Sequence, residues 1–269
     1  GGSQALDTSF LADLDRYREL LAKAFKKDKP ELDGEILTEI TQRTLDRLVF
    51  IRFLEDKLIL AEPIVETFTH KANAWASFKA HSKSLDAAYN GIVFKPLPAL
   101  DKMDVSASTN QIFTDICEEL SGQYSPYDFS LIPIHILGSI YERFLGKVIR
   151  ATAKQVKVEE KEEVRKAGGV YYTPEYIVRY IVKQTVGEQI KGKTPEEIAK
   201  LRFADIACGS GSFLLGVFDE VLNYYRAWLN ARPATAKKYG CTQNPDGVWL
   251  LPLHVKREIL LANVYGVDI

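Results

Sequence analysis

The sequence predicts an α/β fold in which an all-helical domain comes first and strand–helix units follow. Apolar residues recur at helical spacing through most of residues 1–150. A short, mostly apolar run over residues 203–206 then leads into a glycine turn and a new helical stripe, the pattern of a strand–turn–helix unit. We therefore predict a helical domain over residues 1–150, a charged linker over residues 151–167 and an α/β domain over residues 168–269.

Composition is that of a globular protein without a strong bulk charge. The 269 residues are 46% hydrophobic and 26% charged, with a formal net charge of −1, so any affinity for DNA must come from local patches. Cys117, Cys208 and Cys241 form no CxxC pair and indicate neither a metal site nor a disulfide framework. Free thiols, no signal-peptide pattern and no membrane-length apolar run favour a cytoplasmic protein without a membrane partner.

Within the first 150 residues, apolar stripes predict four main helices. They cover residues 7–27, 34–61, 110–120 and 132–149. The second is apolar around most of its circumference, so we expect it at the centre of a bundle. Arg43 and Arg47 share its remaining side, one turn apart, where a solvent-exposed face is favoured over a contact with phosphate.

Residues 151–167 differ in character from the segments on either side. They carry nine lysine, arginine and glutamate side chains and little apolar surface. Such a segment cannot offset its ordering entropy by burial, so we expect a linker or an exposed helix.

The segment that organises the second domain is Asp-Ile-Ala-Cys-Gly-Ser-Gly-Ser-Phe at residues 205–213. Gly209 and Gly211 allow the backbone to approach a ligand closely, and the helix that begins at Ser212 adds a positive pole. Leu214 stands where a dinucleotide fingerprint needs its third glycine, and no P-loop string occurs. An ordinary strand–helix turn without a ligand is the alternative.

Two flanking features belong with this loop. Upstream, residues 168–176 read Gly-Gly-Val-Tyr-Tyr-Thr-Pro-Glu-Tyr, in which Thr173 and Pro174 predict a helix start. Downstream, a polar excursion with a turn at residues 244–247 precedes a last helix and a strand that carries Asp268 near its end.

In this order and spacing, these motifs resemble those of the adenine-N6 DNA methyltransferases of restriction–modification systems. Residues 41–56 and 125–146 are also similar to the helical region that precedes the methylase core in single-chain type II enzymes of the IIG/IIL kind, with type I modification subunits as near relatives. The resemblance covers nearly the whole chain. It implies the first βα units of a Rossmann-like S-adenosylmethionine methyltransferase core, truncated here.

The resemblance also implies S-adenosyl-L-methionine as the cofactor. Tyr172 and Thr173 would enclose its methionine end, Asp205 would approach the amino group, and Asp268 would accept the ribose hydroxyls. The full set of candidate cofactor-binding residues is Tyr171, Tyr172, Thr173, Pro174, Asp205, Ala207, Cys208, Gly209, Ser210, Gly211, Ser212, Phe213, Asp268 and Ile269.

The family's catalytic motif is absent from this chain. In the family, [Asn/Asp/Ser]-Pro-Pro-[Tyr/Phe] binds the amino group of a flipped adenine, and no such string occurs here, so we name no catalytic residue. Cys208 lacks the Pro-Cys setting of a thiol nucleophile. We expect a fragment of a longer enzyme that transfers no methyl group alone. Its two-stranded core should be poorly ordered, or covered by a partner or a second copy.

Two functions follow from the sequence. The first is part of an S-adenosylmethionine-dependent DNA adenine-N6 methyltransferase of a restriction–modification or related defence system. Its partner is double-stranded DNA, bound mostly through parts outside this chain. The alternative is a catalytically silent DNA-binding or docking module with a restriction or specificity subunit as its partner.

Overall fold

The computed structural model describes residues 2–89, 92–152, 155–166 and 173–268. The fold is mostly helical, and the strands of the described residues form three two-stranded pairings. The chain divides into two compact units, Gly1–Val170 (unit 1) and Tyr171–Ile269 (unit 2). No helix within the described ranges combines the length and apolar character needed to cross a bilayer.

Unit 1 is a helical domain. Its helices are α1 (Gly2–Asp28), α2 (Gly34–Asp56), α3 (Ala74–Tyr89), α4 (Pro98–Asp101), α5 (Ala107–Leu120), α6 (Ile134–Leu145) and α7 (Glu162–Lys166), with 3-10 turns at Val65–Phe68 and Ile92–Phe94. Side-chain caps fix two of the starts. Asp33 accepts a hydrogen bond from the Ile36 N–H, and Ser106 accepts one from the Thr109 N–H. Helix α2 ends at Asp56, earlier than its apolar pattern predicts.

The core of unit 1 is rich in aromatic side chains. Trp75 lies edge-on to Phe113, with ring centroids 5.2 Å apart, and tilted against Phe25 at 5.3 Å. Its indole Nε1–H donates to the Met103 carbonyl oxygen at 2.8 Å, so the buried polar atom is satisfied. These contacts join α1, α3 and α5 around one hydrophobic centre.

A β-hairpin follows α6 in unit 1, at residues where the sequence predicts the end of a helix and a linker. Strands β1 (Lys147–Ala151) and β2 (Val156–Glu160) pair antiparallel, so α6 ends before residue 149 and the linker prediction is wrong for residues 156–160. Val156 and Val158 pack against the hydrophobic core. Their period of two is typical of a strand, but the charged residues between them concealed it.

The exposed-face prediction is wrong for Arg47, which is 1% exposed. Its Nε donates to the Val93 carbonyl oxygen at 3.0 Å and its Nη2 to the Lys95 carbonyl oxygen at 2.9 Å. Its Nη1 pairs with an Asp101 carboxylate oxygen at 3.1 Å. The guanidinium therefore fastens the segment between α3 and α4 onto α2. The planar fork of arginine makes these separate contacts possible, whereas a lysine ammonium could not span them.

Unit 2 begins with a helix and contains a parallel strand pair. Its elements are α8 (Glu175–Val182), a π-helical turn (Lys183–Gly187), α9 (Glu188–Ile190), α10 (Pro195–Ile198), β3 (Phe203–Asp205), α11 (Ser212–Asn230), α12 (Pro233–Lys238), β4 (Thr242–Gln243), β5 (Trp249–Leu250), α13 (Leu253–Asn263) and β6 (Val264–Gly266). The predicted strand–turn–helix unit and the last strand are confirmed. Strands β3 and β6 pair in parallel, with Asp205 opposite Gly266.

The polar excursion after α11 is more ordered than its composition suggests. It forms α12 and the small β4–β5 hairpin around the predicted turn, which a Gly247 N–H to Asn244 carbonyl hydrogen bond closes at 2.9 Å. Trp249 and Leu251 are buried against α11 and its neighbours. The segment thus belongs to the core of unit 2.

We expect Arg47→Met to destabilise unit 1 by about 2 to 3 kcal/mol, because it removes three hydrogen bonds made by a buried charged group. Urea denaturation followed by circular dichroism measures the change. Lys83→Met, at an exposed position of α3, is the control and should stay within about 0.5 kcal/mol of the parent. Equal stability of the two variants would contradict the anchoring role of Arg47.

Candidate functional site

The loop between β3 and α11 lies at the carboxyl ends of the two parallel strands. The Val267 N–H donates to the Asp205 carbonyl oxygen at 2.9 Å, and the Cys208 N–H donates to the Val267 carbonyl oxygen at 3.0 Å. These bonds carry the parallel ladder beyond the strands into the loop. Asp205 and Asp268 therefore lie at the same edge of the strand pair, the edge where ligands bind in open α/β sheets.

Each of these two carboxylates fastens the loop through a backbone N–H. Asp205 Oδ1 accepts from the Ala207 N–H at 3.1 Å, and Asp268 Oδ1 accepts from the Gly209 N–H at 3.2 Å. Two acids from different parts of the sequence thus hold one short loop. The contact made by Asp268 holds the loop against the end of β6.

Two glycines shape the loop itself. Gly209 has φ +50° and Gly211 has φ +81°, both in the left-handed region that L side chains rarely adopt. Apart from the glycine and its two chain neighbours, no residue places a heavy atom within 4 Å of the point where a Cβ of Gly209 or Gly211 would stand. The backbone conformation therefore requires glycine, and the space above the loop is open to a ligand.

Helix α11 starts directly after this loop, with Gly211 at its N-cap. Because glycine has no side chain to cap the first turn, the helix presents its N-terminal N–H groups and its positive pole beside the loop. The Leu215 N–H donates to the Gly211 carbonyl oxygen at 2.9 Å, so regular helix begins at once. The predicted start at Ser212 is confirmed.

Sequence reasoning missed Gly266. A Cβ at this position of β6 would stand 2.4 Å from Leu214 Cδ1 and 3.0 Å from Cys208 Sγ. Only a residue without a side chain lets the loop and the first turn of α11 lie this close to β6. The available signal was a glycine inside a strand pattern, which often marks close backbone approach.

Helices α8 and α11 run in the same direction. The point where a Cβ of Gly216 would stand is 3.0 Å from Val178 Cγ1, and the corresponding point of Gly187, in the π-helical turn that continues α8, is 3.0 Å from Glu220 Oε1. Later residues of one helix thus meet later residues of the other. Their N-terminal ends consequently lie on the same side of unit 2 as the glycine loop.

Thirteen of the fourteen predicted site residues fall into three groups. Thr173 and Pro174 lie at the start of α8, where Pro174 rather than Thr173 is the N-cap, one residue later than predicted. Tyr171, Tyr172 and Ile269 lie outside the described residues. The largest group forms the loop and the two strand ends: Asp205, Ala207, Cys208, Gly209, Ser210, Gly211, Ser212 and Asp268.

Phe213 contributes to a neighbouring cleft. This cleft has a volume of about 750 Å³ and runs along β3 beside α8, with Phe203, Leu214 and Val217 among its apolar lining residues. Asp205 also lines it, so the cleft and the glycine loop share one carboxylate.

The pKa of the Cys208 thiol reflects the negative charge of this site. Burial raises the pKa of Cys208, and the carboxylates of Asp268 and Asp205 raise it further because a thiolate beside two anions is unfavourable. A raised pKa makes the thiol a poor nucleophile near neutral pH. In the part of the chain that the structure describes, no group of three or more His, Cys, Asp or Glu side chains could hold a metal ion.

Comparison with known proteins gives a family match and one curated relative. Residues 133–250 match the model of the N-6 DNA Methylase family. Over 271 aligned residues the chain is 35% identical to the Type II restriction enzyme and methyltransferase RM.Eco57I of Escherichia coli, in an alignment that covers 98% of this chain and 26% of that protein. The chain thus spans about a quarter of the length of this relative. No solved structure matches the chain significantly.

We expect Gly266→Ala to destabilise unit 2 by about 1 to 3 kcal/mol, because the added methyl group overlaps Leu214 and crowds Cys208. Adding Leu214→Ala should recover part of this loss in a double-mutant cycle measured by thermal unfolding. Gly138→Ala is the control, since its Cβ would meet no atom within 4 Å and alanine favours helix. Additive effects at positions 266 and 214 would argue against this contact.

A second prediction concerns alkylation of Cys208. Iodoacetamide should modify it slowly at pH 8, and Asp268→Asn should accelerate the reaction, because removing one negative charge lowers the pKa of the thiol. Peptide mass spectrometry follows this cysteine alone. Asp246→Asn, at an exposed position of the same unit, should leave the rate unchanged. A rate insensitive to Asp268→Asn would mean that the two side chains do not interact.

Proposed function

Because the chain belongs to the N6 DNA methylase family, we propose that unit 2 binds S-adenosyl-L-methionine as part of a DNA adenine-N6 methyltransferase. The enzyme would serve a restriction–modification or related defence system, with double-stranded DNA as its substrate. One observation carries the proposal. Two carboxylates at neighbouring strand ends flank a loop of left-handed glycines at the start of a helix.

The chemistry of the loop suits this cofactor. Asp205 and Asp268 each use Oδ1 to hold the loop, which leaves Oδ2 to accept hydrogen bonds from a ligand. Asp268 would accept the ribose hydroxyls, and Asp205 would lie near the methionine amino group. The open backbone from Ala207 to Gly211 would line the ligand between them, since no Cβ of the two left-handed glycines intervenes.

Electrostatics favours the same ligand. When bound, the cofactor supplies an electrophilic methyl group on a positively charged sulfonium. The negative potential that raises the pKa of Cys208 also stabilises a cation at this edge of the strands. The cofactor's own carboxylate would lie toward Thr173 and the N-terminus of α8, where a helix dipole favours an anion.

The transfer step needs groups that this chain lacks. No [Asn/Asp/Ser]-Pro-Pro-[Tyr/Phe] string occurs in the sequence, so no residue here is assigned to hold the adenine amino group. We therefore propose that this chain binds the cofactor without transferring the methyl group. An assay with methyl-labelled cofactor and duplex DNA tests this point, and labelled DNA would contradict it.

A docking function is the second candidate, and the cleft beside β3 favours it. Within the described residues, β3 pairs only with β6, so its other edge has no strand partner. Ile206, which also lines the cleft, is 80% exposed at the end of β3. An open strand edge beside an apolar cleft is a surface on which a further strand could pair. A restriction subunit, a specificity subunit or a second copy of this chain could supply it.

Calorimetric titration with S-adenosyl-L-methionine separates the two functions. We expect binding by the parent chain, and a loss of at least about tenfold in affinity for Asp268→Asn, because the amide lacks the charge and one acceptor of the carboxylate. Asp246→Asn should bind as the parent does. A folded chain without measurable binding would overturn the cofactor proposal and leave docking.

A further inference from the structure

A groove on unit 1 gathers positive charge from two elements. It has a volume of about 760 Å³ and lies between the last turns of α1 and strand β2. Lys23, Lys26 and Lys27 reach it from α1, where a spacing of three and four residues places them on one face. Lys157 reaches it from β2. We refer to it as the lysine groove.

Most of this charge has no carboxylate within ion-pair distance. Glu19 pairs with Lys23 at 2.5 Å, which neutralises one lysine. Lys26 Nζ donates to the Pro30 and Leu32 carbonyl oxygens, each at 2.6 Å, and these neutral acceptors orient the ammonium without cancelling its charge. No carboxylate of the described residues forms an ion pair with Lys26, Lys27 or Lys157.

The hairpin adds a second, independent observation. Arg150 of β1 stands directly opposite Lys157 of β2, so two cations leave the same face as cross-strand neighbours. Like charges in this position destabilise a strand pair. The nearest relief is an exposed contact between Arg150 and Glu159 at 3.9 Å, which is too long and too exposed to contribute much. A bound polyanion would remove this repulsion.

The lining of the groove points to the type of polyanion. It contains lysines, two acids, Thr152, Gln155 and aliphatic residues, and no aromatic side chain lines it in the described part of the chain. Proteins that hold single strands stack the bases on aromatic rings, whereas contacts to a duplex backbone need only cations and hydrogen-bond donors. Lysine ammonium groups are suitable point charges for phosphate.

We propose that the lysine groove binds the phosphate backbone of duplex DNA, with Lys26, Lys27 and Lys157 as its main contacts and Arg150 beside them. The choice of DNA among duplex polyanions rests on the proposed function, but the groove lies in unit 1 and its test does not depend on the cofactor. Such contacts position a protein on DNA and read no sequence.

Fluorescence anisotropy with a labelled duplex of random sequence tests the proposal on the whole chain. Lys27→Glu combined with Lys157→Glu should weaken binding at least about tenfold at low salt and reduce the slope of log K against log salt by about 2, one for each lost phosphate contact. Lys83→Glu combined with Lys102→Glu changes the net charge equally at exposed positions outside the groove. This control should bind within about twofold of the parent.

Three outcomes would overturn the proposal. They are no duplex binding by the parent chain, equal weakening by both double variants, and displacement of the duplex by inorganic triphosphate at similar concentration, which would indicate a small phosphate ligand. Titration with S-adenosyl-L-methionine on the same samples separates the two proposals. Cofactor binding without DNA binding removes only the groove, whereas lysine-dependent DNA binding without cofactor binding removes only the proposed function.

Discussion

The candidate site depends on two carboxylates that each hold the same loop by a backbone N–H. Asp205 and Asp268 reach the loop from the ends of adjacent parallel strands, at 3.1 and 3.2 Å from the nitrogen atoms of Ala207 and Gly209. A parallel pair places both carboxyl ends at one edge, so a single loop can contact both. Gly209 and Gly211 adopt the left-handed conformation within this loop, and the Gly211 N–H closes its turn by donating to the Cys208 carbonyl oxygen at 2.7 Å.

Close packing around α11 makes this arrangement possible. On one side, Gly266 leaves room for Leu214 and Cys208, and on the other, Gly216 leaves room for Val178 and Val182. Side chains at either glycine would push the helix away from β6 or from α8. The position of the helix N-terminus beside the loop is therefore a consequence of two small residues outside the loop itself.

The parts of this site that sequence analysis predicted are those with local signals. The loop over residues 205–213 and the helix start at Ser212 follow from glycine and apolar spacing, and Asp268 follows from its place at the end of a strand. Gly266 and Arg47 act through residues far away in sequence. A glycine inside a strand pattern indicates close approach but not which residues approach it, and helical spacing does not show that an arginine is buried. The β1–β2 hairpin was missed because a count of charges in residues 151–167 outweighed two alternating valines.

The net charge of the chain did not predict either charged surface, because a sum over the whole sequence conceals local clusters. A formal charge of −1 averages a negative edge in unit 2, where two acids raise the pKa of Cys208, and a positive groove in unit 1, where three of the four lysines form no ion pair among the described residues. At physiological ionic strength, charges separated by more than about 8 Å are largely screened from one another, so a ligand responds to the side chains it touches. A cationic cofactor and an anionic duplex can therefore both find a favourable surface on a nearly neutral chain. In both proposals, the ligand would be held by charged side chains that form no ion pair within the described part of the chain.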